Sequence, residues 1–280
     1  MKTTARRVFF LGFRWSLTIS LSLIILVPIA WIFLSSITKQ AQFLTSPIKY
    51  IPREPTIENY IYLLKHVSFA RKLYSTAIVI TFTLIVSTLV CVMAGYAFAR
   101  FRSKGLSFAF VFVMFPFFIP AVVRIRPLYE LWRFMGLFDT YLGIVLLYTS
   151  AIAPMTVAIV RNFVLDIPVS IEEAGKIDGA GFLQTILYLV MPLLRPAIAT
   201  ILIINFIICL NDFFTPFFFS NNIQVLTLAI VQLPTVNQHF TVPWDLTSAM
   251  GVIILAPIIL FVGLFQKQIM TGIMAGGVKQ

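Results

Sequence analysis

Residues 73–99 read LYSTAIVITFTLIVSTLVCVMAGYAFA. No Asp, Glu, Lys or Arg interrupts this run, which exceeds the roughly 20 apolar residues a helix needs to cross a hydrocarbon core. Working outward from it, charge-free windows recur at Trp15–Thr38, Gly105–Val123, Thr140–Val160, Pro196–Asn211 and Leu246–Gln266. Six windows predict an all-α integral membrane protein with about six transmembrane helices. Of 280 residues, 60% are hydrophobic and 11% charged, against about 25% charged in a soluble domain. A large soluble catalytic domain, a disordered chain and a disulfide scaffold are excluded. Cys91 and Cys209 both sit in apolar stretches, and two thiols make neither a disulfide framework nor a four-ligand metal site. The net charge of +11 is dispersed between apolar segments. It points to membrane orientation and anionic lipid rather than nucleic acid.

An even number of spans puts both termini on one side of the membrane. The loops on that side hold Lys2, Arg6, Arg7, Arg14, Arg100, Arg102, Lys104, Arg161, Lys176, Arg195, Lys267 and Lys279. The opposite side holds the smaller set Lys39, Lys49, Arg53, Lys65, Arg71, Lys72, Arg124, Arg126 and Arg133. The positive-inside rule then assigns both termini to the cytoplasm. The first window is longer than the core of a signal peptide and no small-x-small cleavage site follows it, so it is predicted to remain as an anchor.

The organisation predicted is a segment 1–72 with the first span, followed by a core 73–280. The external part of the first segment carries Pro47, Pro52 and Pro55, then TIENYIYLLKHV. There Ile57, Tyr60, Ile61 and Leu64 share one helical face and Thr56 is placed to cap the helix. Between Phe213 and Val242 the apolar run is broken by prolines and asparagines, which predicts an external loop dipping back toward the interface. Pro28, Pro116, Pro120, Pro154, Pro216 and Pro257 are expected to break or bend helices.

The sizeable cytoplasmic loop, residues 161–195, reads as structured. Pro168 stops the preceding helix, and Ser170-Ile171-Glu172-Glu173 fits a capping box. Two turns later Gly179 is placed to take positive φ at a helix C-terminus. A second helix is expected from about Phe182, with Pro192 and Pro196 bracketing re-entry into the membrane. On these residues alone the hairpin is either a docking element or an ordinary interfacial turn.

The stretch EAGKIDGAGFLQTILYLVMPLLRP, residues 173–196, resembles the EAA loop of binding-protein-dependent ABC transporter permeases. Glu173, Ala174 and Gly175 hold its first three positions, Gly179 its glycine, and Leu189, Met191 and Pro192 its end. Gly175, Leu189 and Met191 depart from the pattern without changing polarity. AGYAFARFRSKG, PLYELWRFMGLFDTYLGIVLLY, NDFFTPFFF and QKQIMTGIMAGGVKQ look like the carbohydrate-uptake branch, similar to the second permease subunit of maltose-type transporters.

The resemblance implies a type I ABC importer permease fold with a cytoplasmic coupling helix at 171–177. It also implies a multi-pass protein of the cytoplasmic or inner membrane. Implied partners are a second permease subunit, two ATPase subunits, an extracytoplasmic solute-binding protein and a saccharide substrate. ATP and Mg2+ would sit on the partner ATPase, with no cofactor on this chain. Glu172, Glu173, Ala174, Gly175, Asp178, Gly179 and Pro192 are the expected ATPase-coupling residues. Gly272, Gly276 and Gly277, in the tail 267–280, are the expected second contact with it. Gly175 in a helix implies either a locally loose helix or a close external surface.

Asn205 and Asp212, seven residues apart, are expected on one face of the fifth span, lining a solute path. Asp212 reads equally well as a residue at the outer headgroup level. No G-x-x-x-x-G-K-[ST] phosphate loop and no H-E-x-x-H, C-x-x-C or G-x-S-x-G arrangement occurs. His66 and His239 fall in external segments. Enzymatic activity is therefore not expected. Two alternatives stand beside sugar import: a permease for a polyamine or phosphate, and a self-sufficient secondary transporter or channel.

Overall fold

The computed structural model describes residues 2–43, 45, 50–234 and 242–277. Pro47, Lys49, His239, Lys279 and Gln280, which figure in the sequence reading, lie outside them. Among the described residues every regular element is helical. The chain divides into two compact units, Met1–Phe69 with Ala229–Ala256, and Ala70–Leu228 with Pro257–Gln280. Residues 229–256 thus group with the N-terminal segment.

Helix α1, Lys2–Ser36, exposes Leu17, Ile24 and Leu26 all along its apolar length, as a helix facing lipid does. Its C-terminus leaves open carbonyls, and the following chain supplies donors for them. Asn59 Nδ2 donates to the Ser36 and Thr38 carbonyls at 2.9 and 3.0 Å, and the Thr56 N–H reaches the Ile37 carbonyl at 2.8 Å. Asn59 belongs to α2, Glu58–His66. That need for donors decides which side of α2 is inward. Asn59 and Leu63 are buried; of the predicted face, Ile57, Ile61 and Leu64 are exposed, an outward apolar stripe suited to a membrane interface, while Tyr60 is half-buried with its hydroxyl bonded to the Ser36 hydroxyl at 2.7 Å. Ile57, not Thr56, holds the N-cap position; the Thr56 hydroxyl accepts from the Glu58 N–H at 3.2 Å.

In the second unit, α3, Phe69–Arg100, buries small and hydroxyl-bearing residues, among them Ser75, Thr83, Ser87 and Gly95. A Cβ on Gly95 would lie 2.6 Å from Val160 Cγ1, so the glycine sets the close approach to α6, Tyr141–Asp166. Between them, α4, Lys104–Met114, runs into a 3-10 turn at Phe115–Phe118 and then α5, Ala121–Phe134, at 109°. The expected span to Val123 therefore ends at Phe118. Pro120 offers no N–H to the preceding turn and becomes the N-cap of α5.

After α6 come α7, Val169–Ile177, the helical run α8, Phe182–Leu193, and α9, Arg195–Asn211, the last two bent by 71°. A short α10, Phe214–Phe219, follows, and α11, Trp244–Gly277, closes the chain. Among the described residues, Phe10–Ser36, Phe69–Arg100, Tyr141–Asp166 and Trp244–Phe265 are long and apolar enough to cross a membrane, and the count reaches six where each bent pair is taken as one span.

Asp139 ties the α5–α6 connection to the segment after α10. Its carboxylate accepts from the N–H groups of Asn221, Asn222 and Ile223 and from Asn222 Nδ2, at 2.7–3.4 Å. Burial pushes its pKa up, but these donors to the charged form outweigh it and hold the carboxyl below its ordinary value. A depressed carboxylate stabilises the fold above its unfolded pKa, and that contribution disappears as pH falls through the lower folded value. Asp139→Ala is thus expected to lower the midpoint of thermal unfolding in detergent at pH 7, with the gap to wild type closing below about pH 4. A gap that stays constant to pH 3 would contradict the latch.

Candidate functional site

Two places gather polar groups in this apolar chain: the hairpin of α7 and α8, and a cleft among α5, α6, α9 and α10.

The hairpin helix starts two residues earlier than the predicted capping box allows. Pro168, with ψ 131°, occupies the N-cap position, so Ser170 and Glu173 lie within α7 and no side-chain cap bond forms. This corrects the predicted capping box. With Pro168 at the cap, Ser170 is the second residue inside the helix and no longer stands where a side chain caps the first-turn N–H groups. The registers of the two glutamates then differ sharply. Glu173 is exposed, with Ala174 and Asp178, whereas Glu172 is 5% exposed.

Glu172 turns into the protein and meets the end of α3. Arg100 Nε donates to its Oε1 at 2.6 Å, and the Tyr96 hydroxyl donates to Oε2 at 2.8 Å. Arg100 Nη2 also donates to the Ile167 carbonyl, just past α6, at 2.8 Å. One ion pair therefore joins the ends of three helices. Beneath it, Val92, Val160, Val164, Val190, Leu194 and Ile201 form an apolar floor. The sequence reading placed Glu172 in the loop but missed its inward role. Arg100 was visible only as a topology charge, because 72 residues separate the partners.

The turn is closed by backbone geometry. Gly179 has φ +84°, the Ala180 N–H reaches the Gly175 carbonyl at 2.9 Å, and the Gly179 N–H reaches the Lys176 carbonyl at 3.1 Å. This pair of bonds is a Schellman motif, whose left-handed residue favours glycine. Gly175 is buried against α8: a Cβ there would overlap Leu189 Cδ1. Its small size therefore serves packing within the hairpin. Thr185–Val190 adopt π-helical geometry ahead of the exposed Pro192, whose ring would clash with the carbonyl four residues back. The outer surface of the hairpin keeps large apolar groups in the open, with Ile177 85% exposed and Leu183 and Tyr188 also exposed. Gly272, Gly276 and Gly277 continue α11 as helix to Gly277.

The cleft has a volume of about 440 Å³, within the range of small-molecule sites. It is lined by Arg124 and Leu128 of α5, Tyr148 and Ser150 of α6, Asn211 of α9, and Asp212, Phe214 and Thr215 leading into α10. Asp212 ends α9, and its carboxylate accepts the N–H groups of Phe214 and Thr215 at 3.2 and 3.1 Å. Asn205 does not share this surface. It is 1% exposed and accepts from Thr156 Oγ1 of α6 at 3.0 Å, with its Nδ2 buried and unpaired. The expected common face is corrected on this point: α6 covers α9 at Asn205, and the cleft opens only from Ile207 onward. No trio of His, Cys, Asp or Glu side chains able to hold a metal occurs among the described residues.

The family described as "Binding-protein-dependent transport system inner membrane component" matches residues 87–273, and the chain belongs to it. It is thus a multi-pass permease of a transporter family, not of an enzyme family. The trehalose transport system permease protein SugB of Mycobacterium tuberculosis is 30% identical over 260 residues, 91% of this chain and 92% of that one. The sulfoquinovosyl glycerol transport system permease protein SmoH of Agrobacterium fabrum is 28% identical, covering 91% and 89%. A bacterial ABC transporter involved in the import of the acidic polysaccharide alginate aligns with a TM-score of 0.77 at 25% identity, over 93% of this chain and 96% of that chain.

Proposed function

We propose that this chain is the permease subunit of an ATP-driven importer that passes a sugar or oligosaccharide inward, with both termini in the cytoplasm. A second permease subunit completes the pathway, an extracytoplasmic binding protein delivers the solute, and two ATPase subunits bind ATP and Mg2+. The observation that carries the reading is the hairpin. Its inner side is locked to α3 and α6 through Glu172 and Arg100, while Glu173, Ala174, Asp178 and Ile177 are left outward. A push on that outer side reaches the spans through an ion pair and an apolar floor rather than through a loose loop. The glycines of the α11 tail form the second ATPase contact.

The cargoes named for relatives support a saccharide: trehalose, sulfoquinovosyl glycerol and alginate. Family membership does not favour a self-sufficient secondary transporter. Glu173→Lys reverses an outward charge, and Gly179→Pro forces φ near −65° where the turn needs +84°. Each is expected to abolish copurification of the ATPase and solute uptake by membrane vesicles, with the permease still inserted. Retention of both activities in both variants would refute the coupling assignment.

A further inference from the structure

Helix α5 presents three arginines in different states. Arg126 Nε pairs with Glu130 at 3.4 Å. Arg133 lies over the rings of Tyr129 and Phe138, each at 5.8 Å, and donates to the Tyr129 hydroxyl. Arg124 lines the cleft, and its Nε is buried with no acceptor. Asp212, the cleft's own carboxylate, is occupied by the N–H groups at the start of α10 and makes no ion pair with Arg124 among the described residues.

We infer that Arg124 is an anion-recognition residue and that the transported saccharide bears an acidic group: a carboxylate, a sulfonate or a phosphate ester. This rests on the permease reading above and names the solute class for the cleft. A guanidinium stays charged at any physiological pH and presents parallel N–H donors that match a planar or tetrahedral oxyanion. Arg124 is half-buried, and its shielded Nε is a donor left without an acceptor, a cost that a ligand oxyanion relieves. A neutral solute leaves it in place, so the same residue discriminates against neutral sugars. Around Arg124, Asn211, Ser150 and Thr215 can meet sugar hydroxyls, and Phe214 adds an exposed aromatic ring. The first turn of α5 contains no acidic residue to offset the positive charge.

The test uses the membrane assembly that copurifies with this chain, in nanodiscs, probed by saturation-transfer NMR with D-glucuronate and D-glucose. Wild type in phosphatidylcholine is expected to bind glucuronate about tenfold more tightly than glucose, the order of one charge-assisted pair. Arg124→Gln should remove that preference, and Arg124→Lys should retain part of it through its charge. Equal binding of the two sugars by wild type, or an undiminished preference in Arg124→Gln, overturns the inference. So does a preference that disappears when phosphatidylglycerol replaces phosphatidylcholine at matched high salt, because an anionic lipid headgroup is then what Arg124 holds. An assembly from which no ATPase copurifies defeats the permease reading instead, and is distinguished by composition before any sugar is added.

Discussion

Replacing Glu172 by alanine is expected to destabilise the protein by about 3–5 kcal/mol, the cost of stranding one member of a buried ion pair. The side chains of Arg100 and Glu172 are only 10% and 6% exposed, so solvent cannot readily re-solvate the abandoned guanidinium. The Tyr96 hydroxyl loses its acceptor in the same variant. Thermal unfolding in detergent should show a large fall in midpoint, and membrane vesicles should lose solute-stimulated ATP hydrolysis. Because both charges carry a desolvation penalty, the double variant Arg100→Leu with Glu172→Leu should recover much of the lost stability. It should not recover coupling, since the Arg100 bridge to the Ile167 carbonyl disappears with it. Tyr96→Phe tests the remaining contact and should cost about 1.5–3 kcal/mol, as for a hydrogen bond to a charged group. If Glu172→Ala unfolds and couples like wild type, the clamp has no mechanical part in the transporter.

The legible and illegible parts of this chain divide by the range of the interaction. Charge-free length marks a span at residues 73–99 whatever packs beside it, and a glycine about three turns after Pro168 announces a left-handed turn through backbone sterics alone. Pro120 likewise signals a break, though not its 109° angle. Contacts across the fold leave no local trace. Nothing near Glu172 in sequence indicates that it, rather than Glu173, turns inward, because the choice depends on Arg100 arriving from the end of another helix. On α2 the apolar stripe is legible as a helical pattern, but what holds the opposite side is not: open carbonyls of α1 draw Asn59 to the inside. Asn205 was separated from Asp212 by the same cause: α6 covers one and leaves the other at the cleft.

Gly175 offers the sharpest separation of internal packing from partner contact. In an exposed helix, glycine to alanine should stabilise by up to about 1 kcal/mol through backbone entropy. Here the added methyl meets Leu189 Cδ1, the end of a side chain that must turn aside, so Gly175→Ala is expected to lose that gain, and Gly175→Val to destabilise by about 1–3 kcal/mol as for overpacking. Leu189→Ala removes the obstructing group and leaves a gap of its own. The double variant Gly175→Ala with Leu189→Ala should therefore unfold at a higher temperature than Leu189→Ala alone, because the new methyl fills part of that gap and the helix gains alanine's propensity. ATPase copurification should follow the same order if Gly175 acts by shaping the hairpin. An ATPase surface pressed directly on residue 175 gives a different outcome: Gly175→Ala would abolish copurification whether or not Leu189 had been shortened, with unfolding midpoints unchanged. Measuring midpoint and copurification on the same four proteins decides between the two, since only internal packing makes the effect of one substitution depend on the other.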